Sequence, residues 1–140
     1  MSILEAVRDH LRLYQPLQNI DLFQIDKLQP DPVSYSIYST PTQKVLQSYI
    51  GGGGMFQLQF IVRCTASMAS EDTRIEANEF FDAFSDWLAE QNLKRNLPDL
   101  GIGKTAYSIE TSSAGYLIQE GESGTGIYEM PCNLIYESEK

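Results

Sequence analysis

Ile3, Leu4, Val7, Leu11 and Tyr14 recur at helical spacing at the start of the chain, so a helix with one apolar face is predicted there. Ser2 followed by Glu5 has the spacing of a capping box, in which each side chain satisfies a free N–H of the first turn. Pro16 is expected to stop this helix soon after Tyr14. From Ile20 to Ile50 the pattern changes to short runs divided by Pro30-Asp31-Pro32 and Thr40-Pro41, with Val33, Tyr35 and Ile37 alternating against Ser34 and Ser36. That alternation is the mark of a strand with one packed face.

The clearest strand follows residues 51–54. Phe56, Leu58, Phe60, Val62 and Cys64 point one way, and Gln57, Gln59, Arg63 and Thr65 the other. Residues 71–92 give the strongest helix, with a wide stripe of Ile75, Ala77, Phe80, Phe81, Phe84, Trp87 and Leu88. Trp87 is expected at the centre of that stripe. Lys94 and Arg95 complement the negative end of the helix dipole, and Asn96 before Leu97-Pro98 is the expected stop. Strands then return: Tyr107 and Ile109 alternate with Ser108 and Glu110, Tyr116 to Ile118 form a short apolar run, and Tyr128, Met130, Cys132, Leu134 and Tyr136 share a last face. Pro131 within that strand points to an edge position or a non-bonded site.

The order helix, strands, long helix, strands lacks the regular alternation of a doubly wound fold. It predicts an α+β fold with two helices packed on one face of a mainly antiparallel sheet, in which a parallel pairing would make the sheet mixed. The chain of 140 residues is long enough for one domain, 1–140, and 42% hydrophobic with 21% charged residues is a globular composition.

The net charge of −9 lies wholly in the second half: residues 1–70 carry five acidic and five basic side chains, residues 71–140 fourteen acidic and five basic. Such a surface opposes a sequence-independent grip on nucleic-acid phosphates or anionic membranes. No apolar run is long enough to span a bilayer, and no basic flank precedes a small-residue cleavage site, so a soluble chain made without export is expected. Cys64 and Cys132 are too few for a disulfide scaffold and lack zinc-site spacing. Each falls on an apolar strand face, where they are expected as buried thiols and could be near neighbours.

Gly101-Ile102-Gly103-Lys104-Thr105 ends like a phosphate-binding loop, but Pro98 stands where that loop needs its first glycine, and the predicted helix precedes and the strand follows. Nucleotide binding is not expected. Glu79, Asp82, Asp86 and Glu90 share one helical face and could hold a cation or act as paired carboxylates, yet a ridge opposite an aromatic stripe is solvated, and no metal or cofactor is expected. His10 is the sole histidine and has no nucleophile motif to pair with, so no catalytic residue is assigned and no enzyme is expected. Residues 51–54 are four consecutive glycines, either a mobile hairpin loop or a loop that a partner orders.

The segment from Phe80 to Asn92 (FFDAFSDWLAEQN), then Asn96-Leu97-Pro98-Asp99-Leu100, resembles the tail terminators, also called tail-completion or minor capsid proteins, of long, non-contractile-tailed phages and prophages of Gram-positive bacteria. The resemblance continues through Lys104-Thr105-Ala106, Ile109-Glu110, Ser113-Ala114-Gly115-Tyr116-Leu117 and Cys132-Asn133-Leu134-Ile135-Tyr136, and touches Met1 to Glu5 and Tyr35-Ser36-Ile37. It departs at residues 51–54, where a more polar loop would be expected, and at Pro131. It implies an α+β structural subunit that self-assembles as a hexameric ring on the last ring of the major tail tube protein, halts tube growth and offers a docking surface to the head-completion connector.

DNA would pass through the lumen without sequence-specific binding, and no membrane partner is implied. The location implied is the head-proximal end of the virion tail, with assembly in the host cytoplasm. The candidate subunit or tube interface is Tyr49, Ile50, Gly51, Gly52, Gly53, Gly54 and Met55. Two other readings stay open from the sequence: another neck or minor capsid component of the same virion, and a host-encoded binding module or small enzyme.

Overall fold

The computed structural model describes residues 2–14, 17, 24–25, 34–40, 44–67, 70–120 and 124–139. The elements run α1 (Ile3–Leu11), β1 (Gln24–Ile25), β2 (Ser34–Ser39), β3 (Val45–Ser48), β4 (Gly54–Ser67), α2 (Glu71–Lys94), β5 (Lys104–Thr111), β6 (Tyr116–Glu120) and β7 (Thr125–Ser138). The fold is α+β, with the helices against one face of the sheet. The turns expected at residues 30–32 and at Pro41, the helix stop expected at Pro16, and Val33 lie outside the described residues.

The sheet is built on a ribbon. β4 and β7 are each 14 residues long and pair antiparallel from Gly54↔Ser138 to Ser67↔Thr125. Each is flanked by two shorter strands: β3 and β2 lie along β4, and β5 and β6 along β7. All these pairings are antiparallel; β1 runs parallel to β2, so the sheet is mixed by that one short pairing.

β7 is therefore a central strand, which excludes an edge for Pro131 and leaves the non-bonded site. The N and C=O of one strand residue face the same neighbour. Pro131 accepts from Ser112 N–H at 2.8 Å, so its hydrogen-less nitrogen also faces that side, in the gap where β5 ends and β6 has not begun. No ladder bond is forfeited to β4.

Phe60, Val62 and Cys64 of β4, Tyr128, Met130, Cys132, Leu134 and Tyr136 of β7, Tyr35 and Ile37 of β2 and Ile109 of β5 form the buried sheet face. Ala77, Phe81, Phe84 and Leu88 of α2 and Val7, Leu11, Tyr14 and Leu17 cover it. An aromatic seam joins the two helices: the Tyr14 ring lies 5.6 Å from Phe80, 5.4 Å from Phe84 and 5.4 Å from Trp87.

Local departures from the sequence pattern have identifiable causes. α1 ends at Leu11 and the chain continues to Tyr14 in tighter turns, with Tyr14 N–H donating to Leu11 C=O. The Ser2 hydroxyl caps it by accepting from Glu5 N–H at 3.1 Å. Ile75, expected in the α2 stripe, is exposed, and Trp87 is half-buried, so the centre of the stripe is Phe81 and Phe84 rather than Trp87. Tyr107 leaves the face of Ile109 because the β5–β7 register shifts between Ala106 and Ser108, a bulge that turns Tyr107 outward. α2 stops in a Schellman arrangement: Arg95 takes φ 57°, Asn96 N–H donates to Gln91 C=O, and Arg95 N–H to Asn92 C=O.

Cys64 and Cys132 are both buried and reduced but are not neighbours: Cys132 opposes Phe60, and Cys64 lies four residues further along β4, about 13 Å at strand rise. Burial pushes the Cys64 thiol up to about 12 and raises that of Cys132 as well. Neither thiol should react with a thiol-specific reagent at neutral pH until the protein is unfolded, and rapid labelling of both in native protein would contradict this core. No helix among the described residues is long and apolar enough to cross a membrane.

Candidate functional site at one end of the sheet

The glycines that the sequence offers as a loop without a shape form a wound turn between β3 and β4. Tyr49 N–H donates to Gly53 C=O at 3.1 Å, and Gly52 N–H to Tyr49 C=O at 3.2 Å. Gly51, Gly52, Gly53 and Gly54 have φ of 94°, 111°, 77° and 158°, values that side-chain-bearing residues rarely adopt. The last two are also confined by space. A Cβ on Gly53 would fall 2.5 Å from the carbonyl oxygens of Ser138 and Glu139, and one on Gly54 2.1 Å from that of Gln47. Gly51 and Gly52 meet nothing.

Around this turn, Ile50 projects with 107% relative exposure, and the Tyr49 hydroxyl donates to Glu137 Oε2 at 2.8 Å, which raises the tyrosine pKa. Met55 is half-buried beside Gln47 and Glu137. All seven predicted interface residues thus gather at one end of the β4–β7 ribbon.

A second turn that the sequence did not connect with the first reaches the same place. Gly101 N–H donates to Asp99 Oδ1 and Lys104 N–H to Gly101 C=O, while Gly103 C=O accepts from Glu139 N–H at 2.9 Å. Ser138 therefore has Gly54 on one side and Lys104 on the other. Ile102, at the tip, is 105% exposed. The shared signal was an isoleucine set beside glycine in both turns, which exposes an apolar side chain that the fold does not use. The Gly103-Lys104-Thr105 segment enters a strand, so no helix N-terminus gathers amides there for a phosphate.

The other candidates stand apart. Glu79, Asp82, Asp86 and Glu90 are exposed along α2, Glu90 pairs with Lys94, and no cluster among the described residues has a metal-binding arrangement. Arg63, read as outward-facing, is held on the helix-free face: its Nε donates to Glu129 Oε2 at 3.0 Å, its guanidinium lies 4.6 Å from the Tyr38 ring centre, and Tyr116 OH donates to Glu129 Oε1 at 2.7 Å. Glu129 is nearly fully buried, so this network holds an internal charge pair across four strands.

His10 lines a groove of about 600 Å³ with Asp9, Leu13, Asn96, Leu97 and Asp99. Its ring packs 5.8 Å from Trp87, its Nε2 has no hydrogen-bond partner among the described residues, and burial lowers its pKa below 6.5. The sign follows: below that value the unfolded chain binds a proton that folded His10 resists, so stability is lost as pH falls from neutral. His10→Gln should lose less stability than wild type between neutral and mildly acidic pH in urea titrations, and equal losses would show that His10 is uninvolved.

No protein-family model matches the sequence, and no curated protein matches it. Among the solved structures that are similar, one matches over 99% of this chain and 92% of its own, at 11% identity and a TM-score of 0.44, a likeness too low to argue from.

Proposed function

We propose that this protein caps the head-proximal end of the tail tube of a long, non-contractile-tailed phage or prophage. It closes as a hexameric ring that stops tube polymerisation and receives the head connector. The reading rests on the family resemblance, and one observation supports it most. Two of the resembling segments need each other in the fold: a Cβ on Gly115, in Ser113-Ala114-Gly115-Tyr116-Leu117, would fall 2.6 Å from the Phe81 side chain in the α2 segment. Further contacts tie α2 to β5. Ser85 Oγ lies 3.1 Å from Thr111 Oγ1, and the Asn92 side chain hydrogen-bonds both backbone groups of Ile109. The resembling residues of α2, β5 and the 113–117 segment therefore pack against one another.

The sheet-end turns supply contact surface in this reading: Ile50 and Ile102 are apolar side chains free to enter a neighbouring subunit or the tube. The exposed acidic ridge on α2 and the net charge of −9 suit an annulus through which DNA must slide without adhering. The test is to fuse a compact density label to this protein and image particles. Label confined to the junction of tail and head is expected; label along the tube, on the capsid shell, or absent from particles would reject the role.

A further inference from the structure

The contact between α1 and α2 includes one side chain that titrates near neutrality. His10, in the last turn of α1, is buried, and its ring packs on Trp87 of α2, the same indole that Tyr14 meets at 5.4 Å. Its Nε2 is shut off from water and has no hydrogen-bond partner among the described residues. A neutral imidazole can occupy such a place at the cost of one missing hydrogen bond. An imidazolium donates from both nitrogens and carries a charge, so the same place becomes far less tolerable. His10 is the sole histidine, and histidine alone among side chains has an ordinary pKa between pH 5 and 8.

The groups around it differ by element. On α1, Asp9 is bound to Arg8 at 3.2 Å, and Arg12 follows two residues after His10. On α2, Asp86 and Glu90 are exposed to either side of Trp87 in sequence, and Glu90 pairs with Lys94. β1 and β2, which α1 also meets, contribute only Tyr35 and Tyr38 to this set, and tyrosines stay neutral in this range. The segment after α2 contributes Asp99, which lines the same groove as His10 from the other element. Asp99 Oδ1 accepts from Gly101 N–H, which leaves Oδ2 for another donor.

We propose that protonation of His10 turns its ring away from Trp87 and into this groove toward Asp99, loosening the last turn of α1 from α2. The groove, of about 600 Å³, is far larger than an imidazole ring, and exposed Asp9, Leu13, Asn96 and Asp99 open it to solvent. The charged ring thus gains water and a carboxylate in one movement. A cation in the last turn also suits the negative end of the helix dipole once it is solvated. The required backbone motion is small, because α1 ends at Leu11 and terminal turns open at low cost. Burial holds the proton affinity of the closed form below that of the open one, so the open form gains as pH falls below 6.5. This switch is independent of the tail-cap reading.

Trp87 is the only tryptophan and reports on the contact directly. In the full chain titrated from pH 7.5 to 5, quenching of Trp87 fluorescence by acrylamide should rise reversibly along a one-proton curve centred below 6.5. His10→Gln should leave the quenching flat, and Asp99→Asn, at an exposed position, should move the midpoint down by about half a pH unit. Cys64 and Cys132 should stay unreactive toward dithiodipyridine throughout, which separates a local opening from unfolding. Flat quenching in the unmodified chain, an equal rise in His10→Gln, an unmoved midpoint in Asp99→Asn, or thiols that react along the same curve would each overturn the proposal.

Discussion

Phe84→Ala should destabilise the folded chain by about 3–5 kcal/mol, the usual range for removing a buried aromatic side chain from a core. Phe84 is fully buried at the meeting of both helices and the sheet. Its ring lies 5.4 Å from Tyr14, 6.1 Å from Phe80 and 6.2 Å from Trp87, so truncation leaves a void bordered by rings that cannot all collapse into it. A loss of this size is a large part of a small domain's stability. Trp87→Ala should cost less, because Trp87 is half-buried at the outer margin of the seam against His10 and Tyr14. Urea denaturation of both variants checks the order; an effect of Phe84→Ala smaller than that of Trp87→Ala would move the core back to the tryptophan.

Gly53→Ala should be the most damaging alanine substitution in the glycine turn at residues 51–54, apart from Gly54→Ala, and should exceed Gly52→Ala clearly. Both positions carry positive φ, which costs a side-chain-bearing residue about 1–3 kcal/mol. Gly53 adds the collision with the carbonyls of Ser138 and Glu139, and overpacking typically costs about 1–3 kcal/mol more. Neither carbonyl can move freely, since Ser138 is in the β4–β7 ladder and Glu139 is tied to Gly103. Thermal melting of the two variants separates the contributions; equal losses would mean that backbone strain alone accounts for the four glycines.

Those glycines also mark a limit of sequence reasoning. A run of residues without side chains reads as a loop with too many conformations to hold one. Its need for small residues came instead from β7, which is distant in sequence and adjacent in space. Where the signal was periodic it carried through: the alternation of Tyr128, Met130, Cys132, Leu134 and Tyr136 gave a buried face of β7, and the stripe of α2 gave its packing side. It failed where one residue interrupts the period, as at the Tyr107 bulge, and where length misleads, as at Ile75, which lies in the stripe but is exposed. Pro131 was legible as a site lacking a ladder bond, but its place in a central strand depended on a gap between β5 and β6 that no local pattern encodes. The convergence of Ile50 and Ile102 at one sheet end required the register of three strands.

Tail length in particles that lack this gene tests the central claim most directly. The tube would have no cap to halt its growth, so electron micrographs of the deletion should show tails of uncontrolled length that fail to join heads, with normal particles restored when the gene is supplied in trans. Tails of normal length joined to heads in the deletion would contradict the account.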